Sequence, residues 1–275
     1  MNSPDDNLQA SGPQTLARSL QILSELVASV EPVSATALAE KVGLHQSSVS
    51  RILSTLTAAG FVRKPDYHHF AADYGLLTFA AKAIHQFPLI QHTLPVLREL
   101  APACAPLQLT VATLWRDEVL YLVRVQPGSD AAIMPLMRFP LHLSSPGLRM
   151  LLELPGDEAL TALEHSRAEL GWDRPTLAVP ATAAELLKHA RERLELDVLA
   201  LDGWQQPDRI STAIPIRLAT PGGGKAAPLA ALSLSGGSGA MPLDRIRALL
   251  HQGARAIETA LAQAAANATV GAFAP

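Results

Sequence analysis

The chain has 275 residues, a formal net charge of −3, 48% apolar residues and one cysteine, Cys104. That length leaves room for two domains and a sizeable core, and the apolar content excludes a disordered chain. The charge excludes a basic protein that coats nucleic acid, but not a small reading head with a local patch.

A single cysteine closes no intrachain disulfide, which fits a reducing compartment. The N-terminal residues are polar and acidic, unlike a signal peptide. The longest uncharged stretches, 226–243 and 259–275, are broken by Pro, Ser, Gly or polar residues, and neither would span a membrane well. The expectation is a soluble cytoplasmic protein.

Taken in order, residues 1–13 read as a disordered tail. Leu16, Leu20, Ile22, Leu23, Leu26 and Val27 then form a helical face, capped by Thr15 and ended before Glu31-Pro32. Ser34 is an N-cap for a short helix through Val42, closed by Gly43, which enters the left-handed region without steric cost. A longer helix runs from His45 to Gly60, with Val49, Ile52, Leu53, Leu56 and Ala59 recurring at three- and four-residue steps. Its other face carries His45, Gln46, Ser47, Ser48, Ser50, Arg51 and Ser54, and no acidic residue falls between His45 and Gly60. Such a face suits the major groove of DNA. Two helices joined by a Gly turn also occur in all-α proteins, but Arg63 and Lys64 on the following strand favour DNA.

Leu20-Gln21-Ile22-Leu23, Leu38-Ala39, Gly43-Leu44, residues 47–53 and Gly60-Phe61-Val62 together resemble the winged helix-turn-helix of the IclR family of bacterial transcription regulators. The resemblance covers roughly residues 15–262. It implies an N-terminal winged helix-turn-helix domain at 14–72 and a connecting helix at 73–87. A GAF-like α+β effector domain with a mainly antiparallel sheet would follow at 88–262, then a frayed tail at 263–275. The wing departs from the family, with Tyr67-His68-His69 where Gly is frequent and Ala71 where a basic residue is frequent. Arg63 and Lys64 remain its phosphate contacts. Between residues 14 and 86 Lys or Arg stand at 18, 41, 51, 63, 64 and 82 and acids at 25, 31, 40, 66 and 73, six against five. A nearly neutral head gains affinity by doubling, so the expected partners are a second copy, in a dimer or tetramer, and a palindromic or repeated operator in double-stranded DNA.

The second half switches to strand signals at 107–115 and 118–125, with a hairpin at Arg116-Asp117 and further strands at 133–139, 197–201, 212–218 and 229–235. Helical patterns cover 89–100, 146–154, 157–170, 181–196 and 242–261. This mixture gives the α+β class. Alternation places Ser233 and Ser235 on one face of a strand; on a bare strand, serines of this kind simply meet solvent. The resemblance implies instead that they line an effector pocket with Ser211, with Asp202 at its edge. Residues 138–147 resemble the family's loop at the mouth of that pocket, so Ser144, Ser145 and Gly147 would offer backbone donors to a carboxylate. Arg138 would favour an anion, and Leu109, Met134, Met137 and Leu143 would form the walls. The expected effector is a small organic acid.

No serine lies in a GxSxG, and no HExxH, CxxC or zinc-finger spacing occurs, so no metal or cofactor is expected. Gly222-Gly223-Gly224-Lys225 lacks the spacing of a phosphate loop and reads as a hairpin. Two rivals remain at this level: a hydrolase-like enzyme using Cys104 or a histidine of the second domain, and a DNA-binding assembly protein without a ligand.

Overall fold

A computed structural model describes residues 4–133, 139–218 and 228–271, with side chains from residue 14 to 267 in those spans. The chain forms two compact units, Met1–Gln86 and Phe87–Pro275.

The first unit runs α1 (Pro4–Ala28), β1 (Val33–Ser34), α2 (Ala35–Val42), α3 (Gln46–Ala58), β2 (Val62–Arg63), β3 (His69–Ala72) and α4 (Tyr74–Ile84). The tail expected to be disordered is helical from Pro4, and Thr15 lies inside the helix, accepting from Ser19 Oγ at 2.8 Å, rather than capping it. Pro4-Asp5-Asp6 has the residue order of a helix start, which composition alone read as a polar tail. Ser34 Oγ accepts from Ala37 N at 3.2 Å, and Gly43 closes α2 at φ +64°. Ile22, Leu26, Leu38, Val49, Leu53, Val62 and Phe70 bury one core beneath α1, the helix pair and the wing. Strand β3 pairs with both β2 and β1, so the wing is a three-stranded sheet.

Helix α4 begins hard against the turn that ends α3. Gly75 N donates to Gly60 O at 3.0 Å, and a Cβ on Gly75 would lie 2.2 Å from that carbonyl oxygen. No residue of α4 is buried within its unit.

The second unit adds α5 (Pro88–Cys104), β4 (Gln108–Trp115), β5 (Glu118–Val125), β6 (Ala132–Ile133), a 3₁₀ turn (Leu141–Leu143), α6 (Ser145–Leu151), α7 (Gly156–Leu170) and α8 (Ala183–Glu192). It closes with β7 (Leu194–Glu195), β8 (Val198–Asp202), β9 (Arg209–Arg217), β10 (Pro228–Gly237) and α9 (Leu243–Gly271). The strands make one antiparallel sheet in the order β6-β5-β4-β10-β9-β8-β7. Helices α5 and α9 pack together and against this sheet, as does α6 with α8 beside it.

Helix α9 approaches closely where it has no side chain. A Cβ on Gly253 would meet Leu100 of α5 and Leu232 of β10, each at 2.7 Å. Helix α5 continues through Pro95 and Pro102, where a stop near Pro102 was expected, because Leu97, Leu100 and Cys104 are all buried. The expected frayed tail is helical to Gly271, as its alanine content favours. Leu194-Glu195, expected as a helix end, is an edge strand reversed by Leu196 at φ +61°. Of the strand expected at 133–139, Ile133 falls in the strand Ala132–Ile133, Phe139 is not in a strand and residues 134–138 lie outside the described residues, as does Gly222-Gly223-Gly224-Lys225.

One buried charge cluster ties α6 to the sheet. Glu153, just after α6, pairs with Arg149 Nη1 at 2.7 Å and with Arg217 Nη2 of β9 at 2.6 Å. Arg149 Nε also donates to Asp197 O at 2.7 Å. Burial opposes the charge of Glu153, but hydrogen bonds from Arg217 and Arg149 outweigh it and hold the carboxyl at about 2.

Candidate functional sites

On α3 the buried residues Val49 and Leu53 set the direction of the core. At 100° per residue, Ser47 and Arg51 fall opposite them, and both are exposed. Gln46, Ser50, Ser54 and Thr57 flank that ridge and, with Lys64, Tyr67 and His68, line a cleft between α3 and the wing. Ser48 is half-buried on the opposite flank, in a second cleft that includes Arg18 of α1 and His45. His45 caps α3 with its backbone alone. The structure therefore keeps His45, Gln46, Ser47, Ser50 and Arg51 on exposed positions and moves Ser48 to the margin.

The wing's cations are held in place. Arg63 Nε donates to Ala72 O at 3.2 Å, and Lys64 Nζ lies 5.4 Å from the Tyr67 ring centre and 5.1 Å from that of Phe70. The tip, unusual in having no glycine, is organised by Asp66. Its carboxylate accepts from the backbone N–H groups of His68 and His69 and meets His69 Nδ1 at 2.9 Å, contacts that hold its carboxyl below the usual carboxylate range.

In the second unit a cavity of about 220 Å³ opens on the face of the sheet toward α6. Cross-strand register explains its lining. Ser233 pairs with Thr110, Ser235 pairs with Gln108 and with Ser211, and Ser211 pairs with Leu201, so these residues share one face. All six line the cavity. Arg124 joins them opposite Thr110. A bulge at Leu122 brings Tyr121, three residues from Arg124 and so on the other face in simple alternation, onto the same face opposite Ala112. Phe139, Leu143, Pro146, Trp204, Gln205, Arg209 and Ile210 complete the described wall, and none of the described lining residues is a carboxylate.

Hydrogen bonds fix the rim. Ser145 Oγ and Ser211 Oγ are 2.6 Å apart, Trp204 Nε1 donates to His142 O at 2.8 Å, and Gln205 Nε2 donates to Leu143 O at 2.6 Å. His142 stacks on Trp172 at 4.3 Å, and its Nε2 bonds to Asp173 O at 2.7 Å. Burial lowers its pKa, which keeps the ring neutral with Nε2 as donor. Tyr121 OH meets Ser144 Oγ at 3.0 Å, and burial raises that phenol's pKa.

Several expected contacts differ. Ser144 and Gly147 face inward: Gly147 N donates to Ser144 Oγ at 3.1 Å and Leu148 N to Ser144 O at 2.8 Å, while Pro146 has no N–H. The helix caps itself, so the N–H groups of Gly147 and Leu148 are already used. Asp202 is exposed, absent from the lining, and accepts from Ser238 Oγ. Leu109 points to the other side of the sheet, because its neighbours Gln108 and Thr110 face the cavity. Met134, Met137 and Arg138 lie outside the described residues. Arg124, Arg209, Tyr121 and Trp204 were missed; Arg124 was legible in principle, as a lone cation in an otherwise apolar strand.

Residues 15–66 match the IclR helix-turn-helix domain. The chain carries an IclR-type helix-turn-helix domain. The chain is 26% identical over 184 residues to the transcriptional repressor IclR of Escherichia coli, covering 66% of this chain and 67% of that protein. Its identity to the acetate operon repressor of Salmonella typhimurium is also 26%, with the same coverage. Among solved structures it resembles an IclR homolog from Microbacterium hydrocarbonoxydans complexed with 4-hydroxybenzoate, with a TM-score of 0.71 at 20% identity, over 90% of this chain and 98% of that one. An IclR family transcriptional regulator from Brucella abortus has a TM-score of 0.67 at 22% identity, over 91% of each chain. These likenesses show the shared architecture of a helical N-terminal head and an α+β second domain with an antiparallel sheet. The enzyme rival finds no support in the Escherichia coli and Salmonella typhimurium relatives, both of which are repressors. Cys104 is buried, and burial pushes its thiol up to about 11, far from a thiolate nucleophile. Among the described residues no helix is long and apolar enough to cross a membrane.

Proposed function

We propose that this regulator reads operator DNA with α3, as paired heads, and that a small organic acid in the cavity of the second unit modulates that binding. The observation that carries the reading is one chain joining an acid-free reading face to a cavity with no carboxylate among the described residues of its wall. On α3, Ser47 and Arg51 enter the major groove, with Gln46 and Ser50 at its margin and Arg63 and Lys64 on phosphate. Ser211, Ser233 and Ser235 supply hydroxyls to the acid, and arginine supplies its charge partner. The likeness to a homolog complexed with 4-hydroxybenzoate supports the ligand class. The protein works in the cytoplasm, on DNA, as a dimer or tetramer.

The link between sites is conformational. A ligand alters operator affinity only by favouring one arrangement of the two heads, and α4 is the last element before the chain passes into the second unit. The test is selection of duplexes from a random library, followed by binding titrations. A bidentate Arg–guanine contact discriminates by about 1–3 kcal/mol, so Arg51→Ala should bind selected and scrambled duplexes within a few-fold of one another. An unchanged preference in that variant removes Arg51 from the bases; uniform weakening on every sequence puts it on phosphate.

A further inference from the structure

The two arginines of the cavity wall stand far apart. Arg124 lies on β5 and Arg209 on β9, three strand spacings away, about 14 Å across the sheet. They are offset along it as well: Arg124 is level with Ser233 through Thr110, while Arg209 is level with Gly237, four residues farther along β10 and therefore about 13 Å. They occupy opposite corners. Among the described residues neither guanidinium pairs with a carboxylate. Arg124 instead rests 5.8 Å from the Tyr121 ring centre, and its Nε is buried with no hydrogen-bond partner. An arginine nitrogen left unpartnered in a cavity wall is costly unless an acceptor arrives.

Between the corners the wall changes character. The hydroxyls of Thr110, Ser233 and Ser235 carry no charge, and Phe139 and Trp204 offer flat apolar surface. At the start of α6 the Gly147 amide is taken by Ser144 and Pro146 has none, and the arginines are the charged groups the described wall presents.

Resting on the reading of this cavity as the effector site, we infer that it is built for a two-headed acid, a dicarboxylate with one acid group on Arg124 and the other on Arg209. A planar guanidinium holds a carboxylate through two parallel hydrogen bonds. The cavity is smaller than the roughly 300–1,000 Å³ of sites for drug-sized ligands, which limits the occupant to on the order of ten heavy atoms. A benzene ring or a short saturated chain with an acid at each end meets both conditions.

Calorimetric titration of the full-length protein with matched pairs tests this: benzene-1,4- and 1,3-dicarboxylate against benzoate, and butanedioate and hexanedioate against their monoacids. At least one diacid should bind tenfold or more tightly than the monoacid of its skeleton. Arg124→Gln and Arg209→Gln should each lower that diacid to the monoacid level, while Arg124→Lys keeps part of the advantage and shows that the site still folds. Equal binding of diacid and monoacid, or an Arg209→Gln variant with undiminished diacid affinity, overturns the two-headed ligand and leaves an acid-binding effector site standing. No heat with any acid of the panel overturns both.

Discussion

The strongest electrostatic commitment of the second unit rests on one residue, Glu153, held between Arg149 and Arg217. Its carboxyl at about 2 lies below the ordinary value of 4.5. A depressed carboxyl adds stability above its unfolded value, and that stability is lost as pH falls from about 4.5 toward 2. The shift corresponds to on the order of 3 kcal/mol. Denaturant unfolding at pH 6 and pH 3 should show the wild type losing stability across this window and Glu153→Gln losing less. At pH 6 the variant should itself be about 3–5 kcal/mol weaker, because Arg149 keeps its burial without its partner. The cluster joins three separate segments, so sequence spacing gave no sign of it beyond the Arg149–Glu153 step. That Ser233 and Ser235 share a face was legible because strand alternation is a period of two, and the register honours it; Ser211 came from the family resemblance. Tyr121 was hidden by a bulge, and Asp202 was misjudged because Ser238, distant in sequence, takes its carboxylate.

Elements governed by short-range rules were readable. Ser34, Gly43 and the apolar steps of α3 define the helix pair, since capping and helical periodicity act within a few residues. The extents of α1, α5 and α9 were not: α1 starts before its expected cap, and burial and alanine content carry α5 and α9 past their expected stops. One contact between elements fixes where α4 starts. Gly75→Ala would place a methyl 2.2 Å from the Gly60 carbonyl, and backbone cannot swing aside. The substitution should cost about 1–3 kcal/mol, as overpacking does, and lower the first thermal transition. Gly156→Ala at the start of α7, where an added Cβ meets nothing within 4 Å, is the control and should leave stability unchanged or slightly improved. Equal behaviour of the two variants would mean that α4 is not seated on Gly60.

At the scale of the whole molecule, the first unit exposes an apolar surface on α1 and α4. Leu16 and Leu20 on α1 and Tyr74, Leu77 and Phe79 on α4 are each more than half exposed within the first unit. Apolar surface of this extent suits contact with a second copy, and doubling compensates for a head with six cations against five acids. The proposed account requires that the cavity report to such paired heads. Its most direct measurement is fluorescence anisotropy of a selected operator, titrated with and without the acid that calorimetry identifies, for the wild type and for Ser233→Ala, Ser235→Ala. The account predicts that the acid shifts the apparent Kd of the wild type at least fivefold, whereas the double variant binds the same operator with no shift. A double variant that responds to the acid as the wild type does would contradict it.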